Sequence, residues 1–128
     1  MDPLTKACTA TLETEGVLAD NITVRSVPGA YDLPVAAKVA LLKFDAVVCI
    51  GVLLKGETKH FDYISESVSS ALMDLQVKAG KPVIYGVLNL LTKEQAEERA
   101  SAKSQLGASW ARSALSMVSL LRDLRDLE

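Results

Sequence analysis

Residues 46–54, AVVCIGVLL, run on without one polar side chain, and no other feature constrains the fold of this chain so tightly. A strand with one wet face alternates apolar and polar residues, whereas an unbroken run is the pattern of a central parallel strand covered on both faces. Parallel neighbours cannot be joined by a tight turn. The connections must be crossovers, usually helical and right-handed.

The flanking sequence supplies such crossovers. Residues 3–15 read as a helix, with Pro3 in the first turn and Gly16 as the stop. Residues 21–27 place Ile22, Val24 and Val27 in a strand-like pattern, and the turn Pro28-Gly29-Ala30-Tyr31 follows. A short helix is expected over residues 33–42, with Asp32 positioned to cap it and Pro34 in its first turn. Beyond the apolar run, a helix sets Ile64, Val68, Ala71, Leu72 and Leu75 on one face and stops at Gly80. Residues 82–90 read as another strand. Thr92 and Gln95 form a capping box for a helix over residues 93–102. A last helix, over residues 108–127, buries Trp110, Ala114, Met117, Val118 and Leu121. The expectation is an α/β three-layer sandwich around a parallel sheet, as one domain over residues 1–128. Such domains normally open with a strand. This pattern opens with a helix and holds three strands, so it reads as a sheet whose first strand is missing.

The apolar run leads into the segment that points to chemistry. GVLLKGETKHFDY (residues 51–63) passes from strand through a polar loop to a helix start, and it contains the only histidine, His60. Unbonded N–H groups and the positive end of the helix dipole favour an anion there. Histidine is the side chain that exchanges protons near neutral pH. One reading is a phosphate seat beside a proton shuttle; the other is a histidine that only caps the helix or is solvated.

Composition removes several alternatives. At 128 residues, 49% of them hydrophobic, the chain has the length and apolar content for a core. The formal net charge is −2 and no basic cluster is interleaved with aromatics, so no nucleic acid is expected as a partner. Cys8, Cys49 and a single histidine give no metal-ligand spacing; two reduced thiols in a cytoplasmic protein are expected, with no metal. No segment has the apolar length of a membrane span, and the first residues do not read as a signal peptide.

SVPGAYDLPVAAK (residues 26–38), FDAVVCIGVLLKGETKHFDYISES (44–67), PVIYGVLNLLTKEQAEERA (82–100) and SWARSALSM (109–117) resemble the lumazine synthase family, in order and over nearly the whole chain. The motifs PGA-aromatic-acid-x-P and GET-x-HFDY are too specific for coincidence. The resemblance implies a flavodoxin-like topology and a transferase of riboflavin biosynthesis, 6,7-dimethyl-8-ribityllumazine synthase. The family condenses 5-amino-6-(D-ribitylamino)uracil with 3,4-dihydroxy-2-butanone 4-phosphate through an imine and releases phosphate, with no cofactor. Such chemistry asks for a flat pocket, an anion seat and a proton shuttle.

At the matching positions the resemblance makes His60 the catalytic proton-transfer residue. It makes Glu57 and Thr58 the loop whose N–H groups and hydroxyl hold the phosphate, and Arg99 the guanidinium that pairs with it. Taken alone, Arg99 reads as an exposed helix charge among Glu94, Glu97 and Glu98. Ala30, Tyr31 and Asp32 match the ribityl-binding segment, with Asp32 where the family usually has Glu. Val52, Leu53 and Leu54 match the strand end whose main chain reads the uracil edge. Tyr85 matches an aromatic, most often Phe, that a neighbouring subunit inserts over the ring; taken alone it reads as a strand-end aromatic packing on a helix. A homo-oligomer is thereby implied, a pentamer or a larger shell.

Three departures from the family pattern bear on activity. The family's first strand, with its stacking aromatic, has no counterpart here. Stacking is worth about 1–3 kcal/mol per base in nucleic-acid sites, so a roughly ten- to hundred-fold weakening of substrate binding is expected. The family's Gly-Asn-Lys-Gly turn is replaced by Gln105-Leu106-Gly107-Ala108, leaving Lys103 to stand in for its charge. An acid that often follows the tryptophan of the last helix is here Ala111. The second reading is therefore a truncated, catalytically weak relative that binds lumazine or flavin, or serves as an assembly subunit.

Overall fold

The computed structural model describes residues 2–55, 60–99, 101 and 105–127, apart from the side chain of Ala96. The first helix, α1 (Pro3–Thr14), begins at Asp2, whose carboxylate accepts from the backbone N–H and the hydroxyl of Thr5, each at 2.9 Å. Gly16 follows with φ of 107°, a conformation that L side chains rarely adopt, and turns the chain away.

The strand expected over residues 21–27 does not form. Ala19–Asn21 is a 3-10 turn and residues 22–27 have no regular structure. Ile22 is extended (φ −113°, ψ 119°), but extension makes a strand only when a neighbour supplies a ladder of hydrogen bonds. Among the described residues no strand pairs with this segment.

A second 3-10 turn, Ala30–Asp32, runs straight into α2 (Leu33–Ala40). Asp32 holds the N-cap position without a side-chain capping bond. Its backbone is already helical (φ −89°, ψ −8°), and the N–H of Leu33 is taken by the carbonyl of Ala30. An N-cap side chain captures N–H groups from extended backbone, so the geometry here rules that role out.

The apolar run becomes β1 (Val47–Leu54), and β2 (Val83–Leu90) lies parallel to it, from Val47 opposite Val83 to Leu54 opposite Leu90. These two strands are the sheet among the described residues. Between and after them come α3 (His60–Ala79), α4 (Lys93–Arg99) and α5 (Leu106–Arg125). Gly80, at φ of 65°, ends α3 as expected.

Helices lie on both faces of the sheet, which makes three layers. On one face, Leu33, Ala37, Leu41, Val68 and Leu72 pack against Cys49, Val83 and Val87. On the other, α5 lies between the sheet and α1. Trp110 sits flat on Gly86, where a Cβ would come within 3.0 Å of the indole and 2.8 Å of the Cys49 carbonyl. Gly107 lets α5 approach the α1 backbone, since a Cβ there would strike the Leu4 carbonyl and come within 3.1 Å of the Cys8 nitrogen.

Two helix faces differ from the sequence reading. Ala71 is exposed, while Val68 and Leu72 carry the buried stripe of α3. In α5 the buried residues are Gly107, Trp110, Ala111 and Ala114, and Met117, Val118 and Leu121 are only partly covered. α1 ends beside Arg112, whose Nε is 3.9 Å from the Glu15 carboxylate. The second half of α5 runs past that end and leaves a shallow hollow between Leu121, Leu124 and the turn Ala79-Gly80-Lys81.

Candidate functional site

Open α/β sheets bind ligands outside the carboxyl ends of their strands, and most of the residues singled out above lie at that end. β1 brings Val52, Leu53 and Leu54 to it. Val52 and Leu54 are 43% and 47% exposed, so the strand is not covered on both faces to its end. The run is apolar, but apolarity does not say how far the covering layers extend.

Hydrogen-bond parity separates these three residues. The Val47 N–H donates to the Pro82 carbonyl at 3.0 Å, and the Lys55 N–H to the Leu90 carbonyl at 2.8 Å. In a parallel ladder, alternate residues of one strand bond to a given neighbour. The odd positions of β1 therefore commit their main chain to β2. Val52 and Leu54 turn their N–H and C=O groups to the other edge, where no described residue supplies a backbone partner. Leu53 has its main chain in the ladder and its side chain against the core. Of the three, two present an open peptide edge.

The Ala30–Asp32 turn packs against β1 and α3. Ala30 touches the core, Tyr31 is exposed, and Asp32 is partly buried with its carboxylate folded back toward Gly29. His60 is exposed on the first residue of α3, a helix of 20 residues whose dipole points its positive end there. Residues 56–59, and with them the expected phosphate loop of Glu57 and Thr58, lie outside the described residues.

The other two, Tyr85 and Arg99, lie on β2 and at the end of α4. Tyr85 is the third residue of β2, opposite Cys49, and about 16 Å of strand separate it from Leu90. It is therefore not a strand-end aromatic. Its ring packs against the core, and its hydroxyl accepts a hydrogen bond from Asn89 Nδ2 at 2.9 Å. Arg99 is exposed at the last described residue of α4. That helix opens on the expected capping residues: Thr92 Oγ1 accepts from the Gln95 N–H at 3.1 Å, and Gln95 Oε1 accepts from the Leu91 N–H at 3.0 Å. The helix expected to reach residue 102 does not include Ser101, which is a bend; residues 100 and 102, and Lys103, lie outside the described residues.

Sequence reasoning passed over Asn89. The available signal was a lone amide inside the apolar strand that Tyr85 shares. Neither cysteine offers a nucleophile. Both are buried free thiols, and burial pushes Cys49 up to about 11, far from the thiolate form at neutral pH. Among the described residues no cluster of three His, Cys, Asp or Glu side chains suits a metal ion, and no helix is long and apolar enough to cross a membrane.

Comparison with known proteins agrees with the resemblance. The profile of the family described as 6,7-dimethyl-8-ribityllumazine synthase matches residues 1–122. The chain is 42% identical over 101 residues to the 6,7-dimethyl-8-ribityllumazine synthase of Trichormus variabilis, covering 77% of this chain and 53% of that protein. The protein of that name from Schizosaccharomyces pombe is 42% identical over 122 residues, covering 91% and 77%. The one from Gloeobacter violaceus is 35% identical over 130 residues, covering 97% and 72%. The chain spans about half the length of several curated relatives it matches, the first of these among them.

Proposed function

The chain belongs to the 6,7-dimethyl-8-ribityllumazine synthase family, and from that premise we propose that it is itself the transferase that condenses 5-amino-6-(D-ribitylamino)uracil with 3,4-dihydroxy-2-butanone 4-phosphate. The observation that carries the reading is the outward main chain of Val52 and Leu54 at the carboxyl end of the sheet, beside the Ala30–Asp32 turn. A strand edge offers N–H donors and C=O acceptors in alternation, which suits the donor and acceptor edge of a uracil. The turn offers amides and a carboxylate to the ribityl hydroxyls. His60 takes and returns the protons that imine formation and phosphate loss require. Arg99 and, on the phosphate loop, Glu57 and Thr58 hold the departing phosphate.

Because Tyr85 and Arg99 match residues that the family lends to a neighbouring subunit's pocket, the working unit in this reading is a homo-oligomer, a pentamer or a larger shell, in the cytoplasm. The open edge of β1 favours one other reading, a weak relative that binds lumazine or flavin without turnover.

Turnover with both substrates, followed by the absorbance and fluorescence of the lumazine product, separates the two. His60→Ala is expected to fold as wild type and to lose roughly ten- to a thousand-fold in kcat, together with the acid limb of the pH–rate profile. Equal turnover of wild type and variant across pH 5–9 makes His60 a bystander. Lumazine binding without turnover by the wild type favours the binder. Sedimentation as a compact monomer at micromolar concentration removes the shared site.

A further inference from the structure

On the face of β2 that meets α2 and α3, alternate positions read Val83, Tyr85, Val87 and Asn89. The two valines are buried. The other two are joined, Asn89 Nδ2 donating to the Tyr85 hydroxyl at 2.9 Å. On an extended strand their Cα atoms are about 13 Å apart, so side chains standing perpendicular to the sheet would not meet. The phenol ring must lie along the strand above Val87, its hydroxyl directed to the carboxyl end. Asn89 is exposed there, opposite Leu53 in the ladder. Because the amide supplies the proton of this bond, the phenol keeps its own for another acceptor. An exposed neutral hydrogen bond adds little to folding stability, so packing alone gives no reason for an amide at this position.

We infer that Asn89 is a positioning residue, which holds the Tyr85 ring along the strand and turns the phenol proton outward, toward a ring carbonyl or ring nitrogen of the bound pyrimidine. This rests on the proposed reading of Tyr85 as a substrate-binding residue. Tyr85 touches the substrate and Asn89 acts through it. A side chain ordered before binding loses less rotamer freedom when the ligand arrives, so the effect falls on pyrimidine binding and not on proton transfer.

The test is steady-state kinetics with each substrate varied in turn, alongside thermal unfolding. Asn89→Ala is expected to raise the pyrimidine KM by about three- to tenfold, with kcat, the butanone phosphate KM and the melting temperature little changed. Asn89→Gln, which keeps the amide, should recover most of the loss. Tyr85→Phe should match Asn89→Ala, and the double variant should be no worse than either single one, as for residues acting as one unit. Additive losses, equal rises in both KM values, or an unchanged pyrimidine KM overturn the inference. Should Asn89→Ala fail to fold, an unchanged pyrimidine KM in Tyr85→Phe overturns it alone. A wild type that neither turns over nor binds the pyrimidine overturns the proposed function and this inference together, whereas a wild type that turns over beside an indifferent Asn89→Ala overturns this inference only.

Discussion

The layer of α1 and α5 and the carboxyl end of the sheet draw on similar apolar residues and treat them in opposite ways. In the first, small residues let backbones close in. Gly107 admits the α1 main chain, Ala111 is completely buried, and Gly86 gives Trp110 a flat floor. At the carboxyl end, Val52, Leu54, Tyr31 and Leu91 remain exposed. What distinguishes the two is the state of the main chain. The α1–α5 layer has its peptide groups bonded within helices and strands, while the rim leaves the peptides of Val52 and Leu54 turned to an open edge. Clustered exposed apolar side chains beside unpaired peptide groups mark a surface made to be covered, by substrate and a neighbouring subunit in the reading proposed above.

The comparison breaks most readily at Trp110. Replacing it with alanine should cost about 3–5 kcal/mol of stability, because the indole is buried between α5 and the sheet at Gly86 and its removal leaves a cavity. Urea unfolding measures it as a lower midpoint at an unchanged slope. A loss below about 1 kcal/mol would show that the layer is not closed as described.

Cys49 probes the covered interior through pH. Burial raises its folded pKa from the ordinary 9.0 to about 11, so the folded protein keeps a proton that the unfolded chain gives up. Unfolding between these values releases that proton, and stability must fall as pH rises from about 9 while remaining flat below it. Over the full interval the loss is about 2–3 kcal/mol. Wild type compared with Cys49→Ala isolates it; parallel curves between pH 7 and 11 would place the thiol in water.

The same division explains what could be read from the sequence. Both strands and the helix stops at Gly16 and Gly80 follow from patterns that neighbouring residues enforce, namely apolar runs, unbroken in β1 and interrupted only by Asn89 in β2, and glycine in a left-handed turn. Residues 21–27 carry a strand-like pattern too, but a strand needs a partner, and pairing is decided at a distance. The exposure of Val52 and Leu54 was hidden for a related reason, since a run of apolar letters does not reveal where its covering layers stop. In the site, His60 stood out as the only histidine at a strand-to-helix junction, and the role of Arg99 came from motif resemblance, whereas the parity that separates Leu53 from its two neighbours is a property of the ladder. The lengthwise contact of Tyr85 with Asn89 has no period that a sequence pattern reports.

At the rim, substitutions should move function and leave the fold alone. Arg99→Ala removes an exposed side chain at a helix end, so unfolding should be unchanged. If Arg99 pairs with phosphate, the loss of a charge-assisted bond, about 1.5–3 kcal/mol, raises the KM for butanone phosphate at least tenfold. The pyrimidine KM should scarcely respond. An equal rise in both, or none, returns Arg99 to the solvated helix charge that it resembles when taken alone.

The smallest effect expected is the sharpest test of whether the rim is independent of the packed layers. Thr92 caps α4 through its hydroxyl, and the far end of that helix carries Arg99. Loss of an N-cap costs about 1 kcal/mol of helix stability. In a helix of 7 residues at the surface, that loss appears as local fraying and scarcely as global unfolding. Thr92→Ala should therefore shift the melting temperature little, yet raise the butanone phosphate KM by about two- to threefold as Arg99 becomes less well placed. Thr92→Ser keeps the hydroxyl and should restore it. If Thr92→Ala instead lowers global stability as far as Trp110→Ala does, α4 belongs to the cooperative core, and the contrast between a closed layer and an adaptable rim does not hold.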